Sequence, residues 1–93
     1  MKVAIIGGAG KMGQWFAAHL LQEGAQVVIT GRNQAKLKSA GKKLGVTVAT
    51  NADAVKQADV VIISVPPETF EPVVKEIGPY ARDGQMFFDV TSL

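Results

Sequence analysis

Residues 5–15 read IIGGAGKMGQW. A continuously apolar run, Val3-Ala4-Ile5-Ile6, breaks into glycine and alanine, and the chain then resumes at helical spacing with Met12, Trp15, Phe16, His19 and Leu20. Glycine loses more backbone entropy on folding than any other residue, so this break requires a reason beyond chain reversal. Gly8, Gly10 and Gly13 supply one, because they form G-x-G-x-x-G after a strand and at the opening of a helix. In a dinucleotide site Gly8 would permit the tight turn, Gly10 would let a pyrophosphate approach the backbone, and Gly13 would let the helix lie close on the strand. The first N–H groups of the helix, around Ala9, Lys11 and Met12, would then face the phosphates together with the positive end of the helix dipole.

The remaining periodicity alternates in kind. The first helix is expected to run from Lys11 to Glu23, with Gly24 just past its end. Val27-Val28-Ile29-Thr30 reads as a second strand. Asn33 caps a helix with inner residues Leu37, Ala40 or Gly41, and Leu44, closed by Gly45. A short strand over Val46-Thr47-Val48 and a small helix from Asn51 to Ala58 follow. Val60-Val61-Ile62-Ile63 is a fully buried type of strand, stopped by Pro66-Pro67. Thr69 is expected to cap the next helix, with Pro72 in its first turn, Val73, Val74 and Ile77 inward, and Gly78-Pro79 at its end. Met86 to Val90 is the fifth strand. Strand and helix alternating throughout predict an α/β fold, a doubly wound, Rossmann-like parallel sheet of order 3-2-1-4-5 with helices on both faces. Ligands of such sheets bind at the switch point between strands 1 and 4. Residues 1–93 are expected to form one dinucleotide-binding domain.

The second strand decides the kind of dinucleotide. A site for NAD usually places Asp or Glu near its end, to bond the adenosine ribose. Here the chain reads Thr30-Gly31-Arg32-Asn33, and no carboxylate occurs between Glu23 and Asp53, whereas Arg32, Lys36, Lys38, Lys42 and Lys43 do. A small residue followed by arginine makes room for a 2′-phosphate and provides a planar cation to hold it. The cofactor expected is therefore NADP(H), with Thr30, Asn33 and Lys36 adding donors and Lys38, Lys42 and Lys43 left as a solvated face. Ser64-Val65-Pro66, at the end of the fourth strand, should line the same channel through backbone and shape. Trp15 and Phe16 are expected in the core, and His19 is expected to be structural.

Composition narrows the classes of function. The chain has 93 residues, is 47% hydrophobic and 19% charged, and carries a net charge of +2, which suits a compact domain and is too weak to indicate nucleic acid. With no cysteine and one histidine, thiol nucleophiles, disulfides and a histidine metal cluster are excluded, and no metal site is expected. The absence of a long apolar run and of a leader-like start leads to the expectation of a cytoplasmic protein without a membrane partner.

The segments GGAGKMGQWFA, ITGRN, ADVVIISVPPE and DVTSL together resemble the N-terminal NADP-binding domain of archaeal-type prephenate dehydrogenases, over the whole chain. The glycine loop is shared by many dehydrogenases, while FFDVTSL at the end of the fifth strand is the more specific element. The resemblance implies oxidative decarboxylation of prephenate or arogenate with hydride passing to the nicotinamide. It implies that Gly8, Gly10, Gly13 and Arg32 bind the cofactor and that Ser92 lies near substrate and catalytic histidine. In that family the histidine follows the serine motif, and a helical domain further along holds substrate and forms a homodimer. His19 does not match the catalytic position, so this chain is expected to be the cofactor half of such an enzyme, taking the small-molecule substrate only with the helical domain. Other hydroxyacid or imine dehydrogenases, a deazaflavin-dependent NADP oxidoreductase and a nucleotide-sensing regulatory module are the alternatives. The last resembles NAD sites with an acid after the second strand, which Gly31-Arg32 opposes.

Overall fold

The computed structural model describes residues 1–90. Five strands, β1 (Lys2–Ile6), β2 (Gln26–Ile29), β3 (Thr47–Val48), β4 (Val60–Ile63) and β5 (Met86–Asp89), form one sheet in the order β3-β2-β1-β4-β5. Every neighbouring pair is parallel, so each connection must cross over the sheet. Helices α1 (Lys11–Gln22), α2 (Gln34–Leu44), α3 (Asn51–Gln57) and α4 (Pro67–Ile77) make those crossovers, and a single 3₁₀ turn, Gly78–Tyr80, follows α4. The expected fold and strand order are both present.

β1 is the spine of the sheet, and its alternating side chains found two cores. Val3 and Ile5 join Val27, Ile29 and Ile62 beneath α1 and α2, around Ala17, Leu37 and Ala40. Ala4 and Ile6 join Val28, Val61 and Ile63 on the other face, beneath α3 and α4, around Ala54, Val55 and Ile77. Small residues at Ala17, Ala54 and Ala58, all 0% exposed, let the helices approach the sheet closely. Asn33 caps α2 as expected, its Oδ1 accepting the Lys36 N–H at 3.0 Å, and Gly45 ends the helix in the left-handed conformation, φ 71°. Thr50 caps α3 in the same way, accepting the Asp53 N–H at 3.2 Å.

Several local expectations are corrected. α4 begins at Pro67, where proline's fixed φ suits the first helical position and its missing N–H removes nothing. Thr69 therefore lies inside the first turn, with its hydroxyl donating to the Pro66 carbonyl at 2.9 Å, and Pro72 falls in the helix interior. Ile77 is buried and Val73 packs on the core, but Val74 turns outward. Trp15 is not a core residue. It is 59% exposed, stacked face to face on His19 with ring centroids 5.3 Å apart and edge-on to Phe16 at 5.2 Å. α1 seats only Gly13 and Ala17 fully on the sheet, over β1 and β2, so the flank bearing Met12, Trp15 and His19 lies open. The outer strand β5 is open as well, with Met86, Phe87 and Phe88 all exposed. No helix among the described residues is long and apolar enough to cross a membrane.

The turn before β5 is tied beneath α3. Gln85 Nε2 donates to the carbonyls of Val55 and Ala58, at 2.6 and 2.9 Å, and Arg82 Nη2 donates to the Ala58 carbonyl at 2.7 Å. These bonds reinforce the Val55 carbonyl, which otherwise accepts only the Ala58 N–H at 3.4 Å, and occupy the Ala58 carbonyl just past the helix end. Gln85→Ala is expected to destabilise the domain by about 0.5–1.5 kcal/mol, because it leaves the Val55 carbonyl with only the long bond from the Ala58 N–H, 3.4 Å, and the Ala58 carbonyl with only Arg82. A thermal melt of the variant beside the unmodified chain measures this.

Candidate functional site

The glycine segment passes over the ends of three strands with almost no clearance. Gly7 carries the positive φ of the turn, +84°, and a Cβ there would overlap the Ser64 carbonyl at the end of β4. The tight-turn role expected of Gly8 thus belongs to Gly7. Gly8 is needed for a different reason, since a Cβ on it would stand 2.6 Å from the Ile29 side chain on β2. Gly13 behaves as expected, because its added Cβ would come within 2.6 Å of both the Gly7 carbonyl oxygen and Gly8 Cα. Gly10 differs from these three. A Cβ there would meet only the Gly7 carbonyl oxygen, at 3.7 Å, so the protein itself leaves that side open.

Side chains hold the loop in this path. Thr30, expected as a phosphate donor, is 1% exposed and its Oγ1 accepts the Gly7 N–H at 3.3 Å. Its carbonyl accepts the Gly8 N–H at 2.8 Å. Thr30 is therefore an anchor for the turn at the floor of the site. Gln14 Nε2 donates to the Ala9 carbonyl at 2.8 Å, fixing the loop from the helix side. Gly10 is the N-cap of α1, so no side chain caps the helix, and its first turn holds no acidic residue. An uncapped helix start of this kind presents N–H groups and partial positive charge to an anion.

A cleft of about 840 Å³ opens beside the loop. It is lined by Ala9 and Gly10, by Gly31, Arg32, Asn33 and Lys36 after β2, by Val48 at the end of β3 and Ala49 to Asn51 beyond it, and by Ser64, Val65 and Pro66 after β4. A smaller hollow of about 210 Å³ is lined by Lys11, Met12 and Val90, and shares Gly10, Ser64, Val65 and Pro66 with the cleft. The expected residues therefore divide between two spaces that meet at one rim. Arg32 and Lys36 are exposed at the cleft, and Asn33 spends its Oδ1 on the α2 cap. Sequence reasoning missed Gly7, the segment after β3, and Thr69, Val73 and Glu76 of α4, which also line the cleft. The positive φ of Gly7 has no separate signal in a Gly-Gly pair, and the α4 residues reach the cleft only through the packing of α4 beside α3. Ser92 lies outside the described residues.

With this geometry in view the comparisons with known proteins are specific. The family model for NADP oxidoreductases, coenzyme F420-dependent, matches residues 2–92. The chain belongs to this family. A curated relative from Methanocaldococcus jannaschii, named "Probable arogenate/prephenate dehydrogenase", is 40% identical over 100% of this chain. The F420-dependent NADP reductase of Methanothermobacter marburgensis is 39% identical over 71% of it. Among solved structures, Synechocystis arogenate dehydrogenase superposes with a TM-score of 0.90 at 20% identity, covering 100% of this chain and 34% of that one, a likeness of fold. The chain spans 21% of the Methanocaldococcus protein and 34% of the Methanothermobacter one, so this NADP oxidoreductase domain corresponds to a minor part of each.

Two glycine substitutions separate packing from binding. Gly13→Ala is expected to lower stability by about 1–3 kcal/mol, since backbone rather than a mobile side chain stands in the way of the new methyl group. Gly10→Ala should melt close to the unmodified chain and should instead weaken the protection that NADPH gives against melting. Paired melting curves with and without NADPH read both outcomes.

Proposed function

We propose that this domain binds NADP(H) for a dehydrogenase, the larger parent enzyme carrying out oxidative decarboxylation of prephenate or arogenate. The observation that carries the cofactor reading is the end of β2, where Gly31 and Arg32 stand at a cleft that also receives Lys36 and the uncapped start of α1. A 2′-phosphate needs this combination, a residue without a side chain to make room and a guanidinium to form paired charged hydrogen bonds. The pyrophosphate fits the open side of Gly10. The two spaces meeting at Gly10 and Ser64–Pro66 suit the two halves of a dinucleotide, with the adenosine in the large cleft and the nicotinamide beside Met12 and Val90. Bound there, the nicotinamide supplies hydride acceptance and donation.

The domain's own residues grip and orient the cofactor, and close one side of the hydride-transfer site with the Ser64–Pro66 loop. The substrate wall and the general base belong to the remainder of the parent protein in this reading, and the family resemblance supports a substrate-side role for Ser92. The relative from Methanocaldococcus and the motif FFDVTSL support prephenate or arogenate as substrate. The family description and the Methanothermobacter relative support a second reading, hydride exchange between NADP and coenzyme F420, which would use the same NADP(H) cleft. A homodimer is proposed for the parent enzyme on the family resemblance alone.

Parallel titration of the chain with NADPH and NADH tests the cofactor reading. NADPH is expected to bind about ten- to a hundredfold more tightly, the range that charged hydrogen bonds to one phosphate supply. Arg32→Ala should remove most of that difference while leaving NADH affinity little changed. Equal affinity of the unmodified chain for the two cofactors would overturn the assignment.

A further inference from the structure

Glu76 is the one carboxylate among the residues lining the large cleft. A carboxylate is out of place against the phosphates of a dinucleotide, where it would repel them. Asn51, at the start of α3, holds it. Asn51 Nδ2 donates to Glu76 Oε1 at 3.0 Å, which ties the last turn of α4 to the first of α3. That bond engages one oxygen of the carboxylate, and no hydrogen bond from a described residue occupies Oε2. Asn51 and Glu76 come from the elements after β3 and β4, whereas Arg32 and Lys36 come from the element after β2. Val48, Ala49, Val65 and Val73 add apolar surface to the cleft, which suits the face of a flat ring.

A carboxylate accepts hydrogen bonds and donates none. It therefore distinguishes a ring bearing an exocyclic amine from one bearing a carbonyl at the same position. We propose that Glu76, positioned by Asn51, reads the purine of the cofactor by accepting a hydrogen bond from the adenine amine, and so selects adenine over a 6-oxopurine. This inference rests on the reading of the cleft as the NADP(H) site. It accounts for an acid in an otherwise basic cleft, because the base is the part of the ligand that carries no negative charge and offers a donor.

The test compares NADPH with the reduced hypoxanthine analogue of the same cofactor, in which a carbonyl replaces the amine, by calorimetric titration of the full chain. The unmodified chain should prefer NADPH by about tenfold, the lower end for a hydrogen bond to a charged group because Glu76 is exposed. In Glu76→Gln the side-chain amide can present either a carbonyl or an N–H₂, so the preference should fall to within about twofold. Glu76→Ala should lose it as well. In both variants the preference for NADPH over NADH should persist, since Arg32 is untouched, and the ligand-free melting temperature should confirm that both remain folded. A role confined to tying α3 to α4 would lower that temperature and leave the base preference intact. Equal binding of the two purines by the unmodified chain, or an undiminished preference in either variant, overturns the proposal. Failure of the unmodified chain to bind NADPH at all would overturn the cofactor reading and this inference together.

Discussion

The close passage of backbone over backbone between Ile6 and Gly13 is the constraint on which the site depends. β1 lies between β2 and β4, so the chain leaving it must turn within reach of both strand ends before α1 can lie back across the sheet. Gly7 passes the Ser64 carbonyl, Gly8 passes Ile29, and Gly13 passes the turn itself, each with no room for a methyl group. Thr30 completes the arrangement from β2 by taking the N–H groups of both Gly7 and Gly8. Three of the four glycines in this segment are thus explained by the protein's own packing. The fourth, Gly10, is explained by what the protein leaves empty.

This division bears on what the glycine pattern means physically. Spacing alone assigns the turn to Gly8, because the pattern begins there. The left-handed conformation falls one residue earlier, at Gly7, and it is the contact with β2 that makes Gly8 necessary. The sheet order and both strand cores follow from patterns spread over many residues, such as the unbroken Val60–Ile63 run, and these survive intact. The Arg32 position is equally legible, because it depends only on the end of one strand and the start of one helix. Glu76 is not. It stands 25 positions from Asn51 in the chain and enters the cleft only because α3 and α4 pack together.

Trp15 shows the other limit of periodicity. Its helical spacing with Met12 and His19 predicts a buried stripe, and a stripe does exist. Yet α1 rests over β1 and β2, and the residues that meet the sheet are the small ones, Gly13 and Ala17. A helix that approaches this closely presents its large side chains at its flanks. On one flank Phe16 and Leu20 pack against the core edge, while Met12 and Trp15 face outward. Beyond β4 the sheet continues to β5, where Met86 and Phe88 share the face of Val60 and Ile62 that α1 overlies farther along the sheet. The requirement for close packing at the glycine turn is therefore also the reason that aromatic surface remains uncovered along α1.

The charge pattern can be understood from the same geometry. A dinucleotide with a 2′-phosphate concentrates its negative charge at two places, the pyrophosphate and the ribose, and carries none on its rings. In the proposed reading the first is met by unpaired N–H groups at the start of α1, which need no side chain and therefore no room. The second would be met by Arg32 and Lys36 on flexible stems, at the part of the cleft that Gly31 also lines. Helix α2 has no acidic residue in its first turn and keeps two lysines, Lys42 and Lys43, in its last, where they oppose the negative end of its own dipole. Those lysines stabilise the helix and do not belong to the cleft. The basic run between Glu23 and Asp53 therefore divides by place: Arg32 and Lys36 line the cleft, while Lys38, Lys42 and Lys43, farther along α2, do not.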